Sequence, residues 1–370
     1  MFTPLLRGAL VAMSSLALFC ACGRGGGAAA ENVVNVYSWA DYIAPDTIPN
    51  FEKETGIKVQ YATFDNNEVL ETRLLTGHSN FDAVVPTGMF FQRQREAGVY
   101  RKLDKSMLPN LKNLDPEFMA RLAKHDPGNL YAVPYLWGST GLGYNLDAVR
   151  ARLGGDPPDS WALLFDPQHA AKLKDCGIAI VDSPLDVIFS AILYLGRDPQ
   201  KLDPGDLAAA GEVLRRIRPY IRYIDPAQHI NDLAGGSICL SLAWSGDFNL
   251  ARSRAREARN GVKVVYLVPR EGAMISLDMI GIPADAPHPH NALVWLNYLM
   301  RPDVIAGVTN YIKYPNANAA ALPLVDPAIR NDPSIYPPEA VRARFITSIP
   351  ATPEYTRLAN REWTTFRTGN

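Results

Sequence analysis

From Val33 onward the chain alternates short β-branched runs with segments whose apolar residues recur at helical spacing. That alternation restricts the fold more than any other feature. Val33, Val34 and Val36 form a run suited to a buried strand. Pro45 then opens a segment with Ile48, Phe51 and Thr55 at helical spacing, stopped by Gly56. Residues 57–64 alternate with period two, as in a strand. Asp65-Asn66-Asn67-Glu68 supplies capping residues for a helix holding Val69, Leu70, Arg73 and Leu74, ended by Gly77. Residues 81–86 predict a third strand, and Phe90, Phe91 and Ala97 a third helix. Such a βαβα series predicts an α/β fold with a mostly parallel sheet and helices on both faces.

At 370 residues the chain is long enough for two domains. Its texture changes at Tyr131, where residues 131–135 and 140–145 predict two short strands around Leu136-Trp137-Gly138-Ser139, a candidate crossing between domains. A second α/β series follows. Residues 178–181 predict a strand, and residues 188–195 a helix ended by Gly196. Leu207, Ala210, Val213, Leu214 and Ile217 mark an amphipathic helix. Residues 238–243 predict a buried strand that delivers Trp244-Ser245-Gly246-Asp247 at its carboxyl end. A helix over 248–260, strands over 262–269 and 273–282, and a helix over 291–300 complete the pattern. In the strand over 273–282, Met274, Ser276, Asp278 and Ile280 share one face. Asp278 interrupts an apolar strand there, which is costly unless it has a partner.

The amino terminus has the character of processing sequence. Arg7 precedes an apolar run over 8–19 that is too short to span a bilayer as a helix. Two endings fit it: a lipoprotein site with Cys22 as lipid acceptor after Ala21, or an ordinary signal peptide cut near Ala28-Ala29-Ala30. Both imply export, with residues 1–30 as leader and flexible tether. Only Cys176 and Cys239 then remain, giving either one disulfide or two buried thiols.

A net charge of −1 gives no reason to expect nucleic acid or a polybasic membrane patch. Arg252, Arg254, Arg256 and Arg259 surround Glu257 on one predicted helix and form a solvated face. Gly138-Ser139-Thr140-Gly141 lacks the spacing of a nucleophile elbow. His288-Pro289-His290 fits a surface turn better than a metal site, and the other histidines are dispersed. No catalytic residue, metal or cofactor is therefore expected. What recurs is an aromatic beside a carboxylate at a strand end. Trp39 with Asp41 and Tyr42 is one case, Trp244 with Asp247 another, and Asp278 and Tyr314 add members. A protonated amine suits that chemistry, through charge-assisted hydrogen bonds and about 0.5–2 kcal/mol of cation–π attraction.

Several stretches carry a resemblance. They include residues 36–47, 51–59, 66–71, 230–234, 299–304 and 335–338, among them Tyr37-Ser38-Trp39-Ala40-Asp41-Tyr42 and Ile230-Asn231-Asp232-Leu233-Ala234. Over essentially the whole mature chain the sequence resembles the periplasmic putrescine-binding proteins of polyamine ABC transporters. The resemblance implies a two-lobe type II periplasmic binding protein fold with lobes joined by a hinge. Lobe one would comprise 31–137 and 260–312, and lobe two 138–259 and 313–370. It implies ligand contacts from Trp39, Asp41, Tyr42, Thr87, Trp244, Asp247, Ser276, Asp278 and Tyr314, and a Cys176–Cys239 disulfide. The partners it implies are a polyamine and an inner-membrane ABC permease, engaged by a monomer in the periplasm.

Departures bear on which amine is bound. Leu185 stands where the family has a glutamate, with Asp186 one residue out of register. Ser276 replaces a pocket phenylalanine, and Ala40, Thr87 and Met89 replace serines. Spermidine, cadaverine or agmatine are therefore alternatives to putrescine, and a polyamine-sensing receptor is an alternative to transport.

Overall fold

A computed structural model describes residues 32–369. The leader, the tether and Cys22 lie outside the described residues. Among the described residues are ten strands: β1 (Val33–Trp39), β2 (Lys58–Phe64), β3 (Ala83–Val84), β4 (Ala132–Asn145), β5 (Ile178–Ile180), β6 (Tyr223–Ile224), β7 (Leu240–Trp244), β8 (Val264–Leu267), β9 (Ala273–Gly281) and β10 (Phe345–Thr347). They run in the order β2-β1-β3-β9-β4-β7-β5-β6, with β10 on β9 and β8 on β4.

The flanks follow the βαβ expectation. β1 pairs in parallel with β2 and β3, and β5 in parallel with β6 and β7. The centre does not. β4 is antiparallel to β9, β7 and β8, and β3 is antiparallel to β9. Parallel pairing needs a crossover after each strand, whereas β4 and β9 enter the middle of the order from distant parts of the chain.

The two short strands expected around Leu136–Ser139 are one continuous fourteen-residue strand. Residues Ala132–Ser139 of β4 pair with β9, and Thr140–Tyr144 pair with β7, so one strand carries the chain from one half of the order to the other. The β4–β9 register shifts between Pro134 and Trp137. Pro134 has no N–H to give the ladder, and Leu136 instead bridges to Asn316 while the Trp137 N–H donates to the Pro315 carbonyl at 3.0 Å.

Helices cover the sheet where sequence spacing places them, with shifted ends. The helix expected over 188–195 begins at Pro184, because Pro184 occupies its first turn with Ser183 at the N-cap. The helix expected from Phe248 begins at Ser245, which puts Asp247 in its first turn. Gly56 ends the helix Thr47–Thr55 in the left-handed conformation that glycine adopts without strain. Cys176 and Cys239 are joined as a disulfide, their Cα atoms 5.4 Å apart and 63 residues apart in sequence. Closing a loop of that length stabilises by about 4 kcal/mol through lost unfolded-state entropy. Among the described residues, no helix is long and apolar enough to cross a membrane.

Candidate binding site

Asp278 is the centre of the site. It lies on β9 between Leu277, opposite Trp137, and Met279, opposite Pro134, so the register shift of β4 leaves it without a ladder partner on that side. On the other side it bridges to Thr87, at the N-cap of the helix Gly88–Glu96. Asp278 is 9% exposed. Its Oδ1 accepts from the Thr87 hydroxyl at 2.7 Å, and its Oδ2 from the Tyr42 hydroxyl at 2.5 Å. Thr87 is fixed in turn by Asn67, whose amide donates to the Thr87 hydroxyl and accepts from the Thr87 N–H, both at 3.1 Å. Burial pushes the Asp278 carboxyl up to about 6, against the opposing effect of its two hydroxyl donors.

Tyr42 follows Asp41, whose φ of 52° puts a non-glycine residue in the left-handed region at the end of β1. Burial, followed by the Asp278 charge, raises the Tyr42 phenol far above its usual range, so it remains a donor. Its ring meets Tyr314 edge-on at 5.3 Å and Tyr135 edge-on at 5.8 Å. The Tyr135 hydroxyl donates to the Tyr42 carbonyl at 3.0 Å.

Tyr314 links to the second carboxylate. Its hydroxyl donates to Asp247 Oδ1 at 3.4 Å, and the charges of both Asp247 and Asp278 act on it behind the larger effect of burial. Asp278, Tyr42, Tyr314 and Asp247 thus form one chain of carboxylate, phenol, phenol and carboxylate. Gly246 makes the last contact feasible, because a Cβ there would lie 1.6 Å from Tyr314 Cε2. Asp247 Oδ2 receives the Nε2 of His229 at 2.9 Å. The helix N-terminus beside Asp247 also favours its negative charge.

Trp244 closes this end. Its Nε1–H donates to Asp186 Oδ2 at 3.1 Å, and Asp186 also accepts from Thr140 at 2.8 Å and Ser183 at 2.7 Å. The carboxylate tied to Trp244 thus comes from Asp186, the residue after Leu185.

Of the residues singled out from sequence, the structure joins Tyr42, Thr87, Asp247, Asp278 and Tyr314 through these contacts, and ties Trp244 to Asp186. Ser276 is partly exposed opposite Gly138, two residues from Asp278 and on the same face of β9. Trp39 stands apart from the chain of contacts. It is half-buried against Phe64 at 4.7 Å, with its indole N–H buried and unpartnered among the described residues. Asp41 is exposed, and its carboxylate makes no hydrogen bond or ion pair among the described residues.

Sequence reasoning missed Asn67, Asp186 as a partner of Trp244, and His229. Asn67 appeared only as a capping residue and His229 as one of several dispersed histidines. No local spacing signals either role.

Comparison with known proteins places this geometry. Residues 47–337 match the model of the bacterial extracellular solute-binding protein family. The chain is 47% identical over 367 residues to the putrescine-binding periplasmic protein PotF of Escherichia coli (strain K12), covering 99% of this chain and 97% of that one. It is 49% identical over 344 residues to the putrescine-binding periplasmic protein SpuD of Pseudomonas aeruginosa (strain UCBPP-PA14), covering 92% and 94%. The solved structure of the spermidine/putrescine ABC transporter substrate-binding protein PotD from Streptococcus pneumoniae superposes with a TM-score of 0.78 at 24% identity, over 91% of this chain and 99% of that one. That likeness identifies the fold as the two-lobe type II periplasmic binding protein fold. The chain belongs to the bacterial extracellular solute-binding protein family.

Proposed function

We propose that this chain captures a linear diamine or polyamine in the periplasm and presents it to an ABC permease in the inner membrane. The observation that carries the reading is a set of carboxylates without a protein cation. Among the described residues, no lysine or arginine pairs with Asp278, Asp247 or Asp186; Asp278 has only hydroxyl donors, and Asp247 has a phenol and an imidazole. A buried carboxylate left in that condition is costly until a cation arrives. An ammonium at Asp278 and a second at Asp247 would supply it at both ends. The rings of Tyr42, Tyr314 and Trp244 offer apolar and π surface to the methylenes and the cations between, and Trp39, set apart against Phe64, would join them only on rearrangement. Putrescine, named in both close relatives, is the reference ligand.

In this reading lobe one comprises 31–137 and 260–312 and lobe two 138–259 and 313–370, hinged where β4 changes partners. Asp278 and Tyr42 belong to the first jaw, Trp244, Asp247 and Tyr314 to the second, and closure completes the site. The protein acts as a monomer and as a binder rather than an enzyme, with Cys22 as a candidate lipid anchor. Calorimetric titration of protein unfolded and refolded to strip carried-over ligand, with putrescine, cadaverine, agmatine and spermidine, tests it. Heat with at least one amine, lost in Asp278→Asn, is the expected result. No heat with any of the four would refute it.

A further inference from the structure

His229 stands behind the site rather than in it, and its setting is unusual. It lies on the helix Gln228–Gly235, is fully buried, and tilts against the Phe248 ring at 6.2 Å. Its Nε2 meets Asp247 Oδ2 at 2.9 Å, while its Nδ1 is buried with no partner among the described residues. The hydrogen-bond network therefore assigns the tautomer. Nε2 carries the proton and donates it to Asp247, because a bare lone pair at Nδ1 costs less to bury than an N–H without an acceptor.

We propose that His229 is the positioning residue for the Asp247 carboxylate, and that it sets how strongly the site prefers a second ammonium. The inference rests on the amine-binding reading. An aspartate's terminal torsion is broad and roughly two-fold, so Asp247 on its own samples many orientations. The bond from a fixed imidazole occupies Oδ2 from the rear and turns the remaining lone pairs outward, where Tyr314 already reaches Oδ1. A lysine or arginine in the same place would also hold the carboxylate, but its permanent charge would cancel the one the ligand needs. A buried imidazole donor in this tautomer orients Asp247 and leaves its charge available.

The test compares the wild type with His229→Leu and His229→Gln, titrating putrescine and butylamine calorimetrically. Butylamine carries a single ammonium, which the Asp278 end can hold. His229→Leu is expected to bind putrescine about tenfold or more weakly, the scale of a hydrogen bond to a charged group, with butylamine affinity changed less than twofold. The preference for the diamine then shrinks. His229→Gln, a neutral donor of similar reach, is expected to recover most of that preference. Side-chain 15N spectra of the wild type are expected to show the Nε2-protonated tautomer at His229. Equal losses for diamine and monoamine in His229→Leu would mark a merely structural role and overturn the inference. Undiminished putrescine binding in His229→Leu, or an Nδ1-protonated tautomer, would do the same while leaving the proposed function intact. A wild type that binds no amine removes both.

Discussion

Tyr42 and Asp278, 236 residues apart in sequence, share a hydrogen bond of 2.5 Å in which the phenol donates to a buried carboxylate. The phenol cannot neutralise that carboxylate, and among the described residues no protein cation pairs with it. The protein therefore holds a buried negative charge at a cost in stability, and in the proposed reading that charge serves the ligand's ammonium.

Asp278→Asn is expected to stabilise the ligand-free protein while removing amine binding. The folded carboxyl titrates at about 6, above its ordinary value of 3.8. Between those values the folded state binds more protons than the unfolded chain, so stability falls as pH rises through that window. A shift of about two units corresponds to about 3 kcal/mol at pH 7, and to little below pH 4. Urea denaturation at pH 7 and pH 4 measures the gain in the variant. Equal stability of variant and wild type at pH 7 would contradict the assignment.

Affinity for the amine is expected to weaken on acidification. Above pH 6 Asp278 is ionised and ready to pair; below it, each binding event must displace a proton. Apparent affinity for putrescine should fall by up to about tenfold per pH unit between pH 6 and pH 5. Titrations in buffers of different ionisation enthalpy would register the released proton. A flat profile without proton release would place the carboxylate outside the ligand's reach.

Gly246→Ala should disturb the site without touching a polar group. The added Cβ would lie 1.6 Å from the Tyr314 ring, which must move. Overpacking of this kind costs roughly 1–3 kcal/mol, and the displaced ring also loses its contact with Asp247. The expected result is lower thermal stability together with weaker putrescine binding, read by a thermal shift with and without ligand. Wild-type behaviour on both measures would refute the packing described.

Asp186→Ala is expected to weaken binding by loosening Trp244. The change strands the Trp244 indole N–H and the Thr140 and Ser183 hydroxyls together. Thr140 is fully buried, and a buried donor left unpaired costs about 1–3 kcal/mol, while the half-buried Trp244 and Ser183 lose less. Tryptophan fluorescence should respond to the change, and putrescine affinity should fall. Leu185→Ala, one residue away, should leave the hydrogen bonds to Trp244 intact and change affinity less.

Much of the frame was legible in the sequence. The β-branched runs, the helical spacing and terminators such as Gly56 act over a few residues, so they determine strands and helices locally. Asp278 stood out for the same reason, as a carboxylate in an apolar strand. The resemblance assigned the aromatic and acidic residues to one site, and the disulfide pairing of Cys176 with Cys239 matches the structure.

Tertiary structure alone decided how those pieces meet. Local alternation could not show that residues 132–145 are one strand, since its continuity depends on partners from β7, β8 and β9. Nor could it show that a helix beginning at Pro184 brings Asp186 to Trp244, or that His229 lies under Asp247. Such contacts depend on strand register and helix frame between distant segments. A shift of one residue in either turns a side chain to a different face, and no short-range pattern records it.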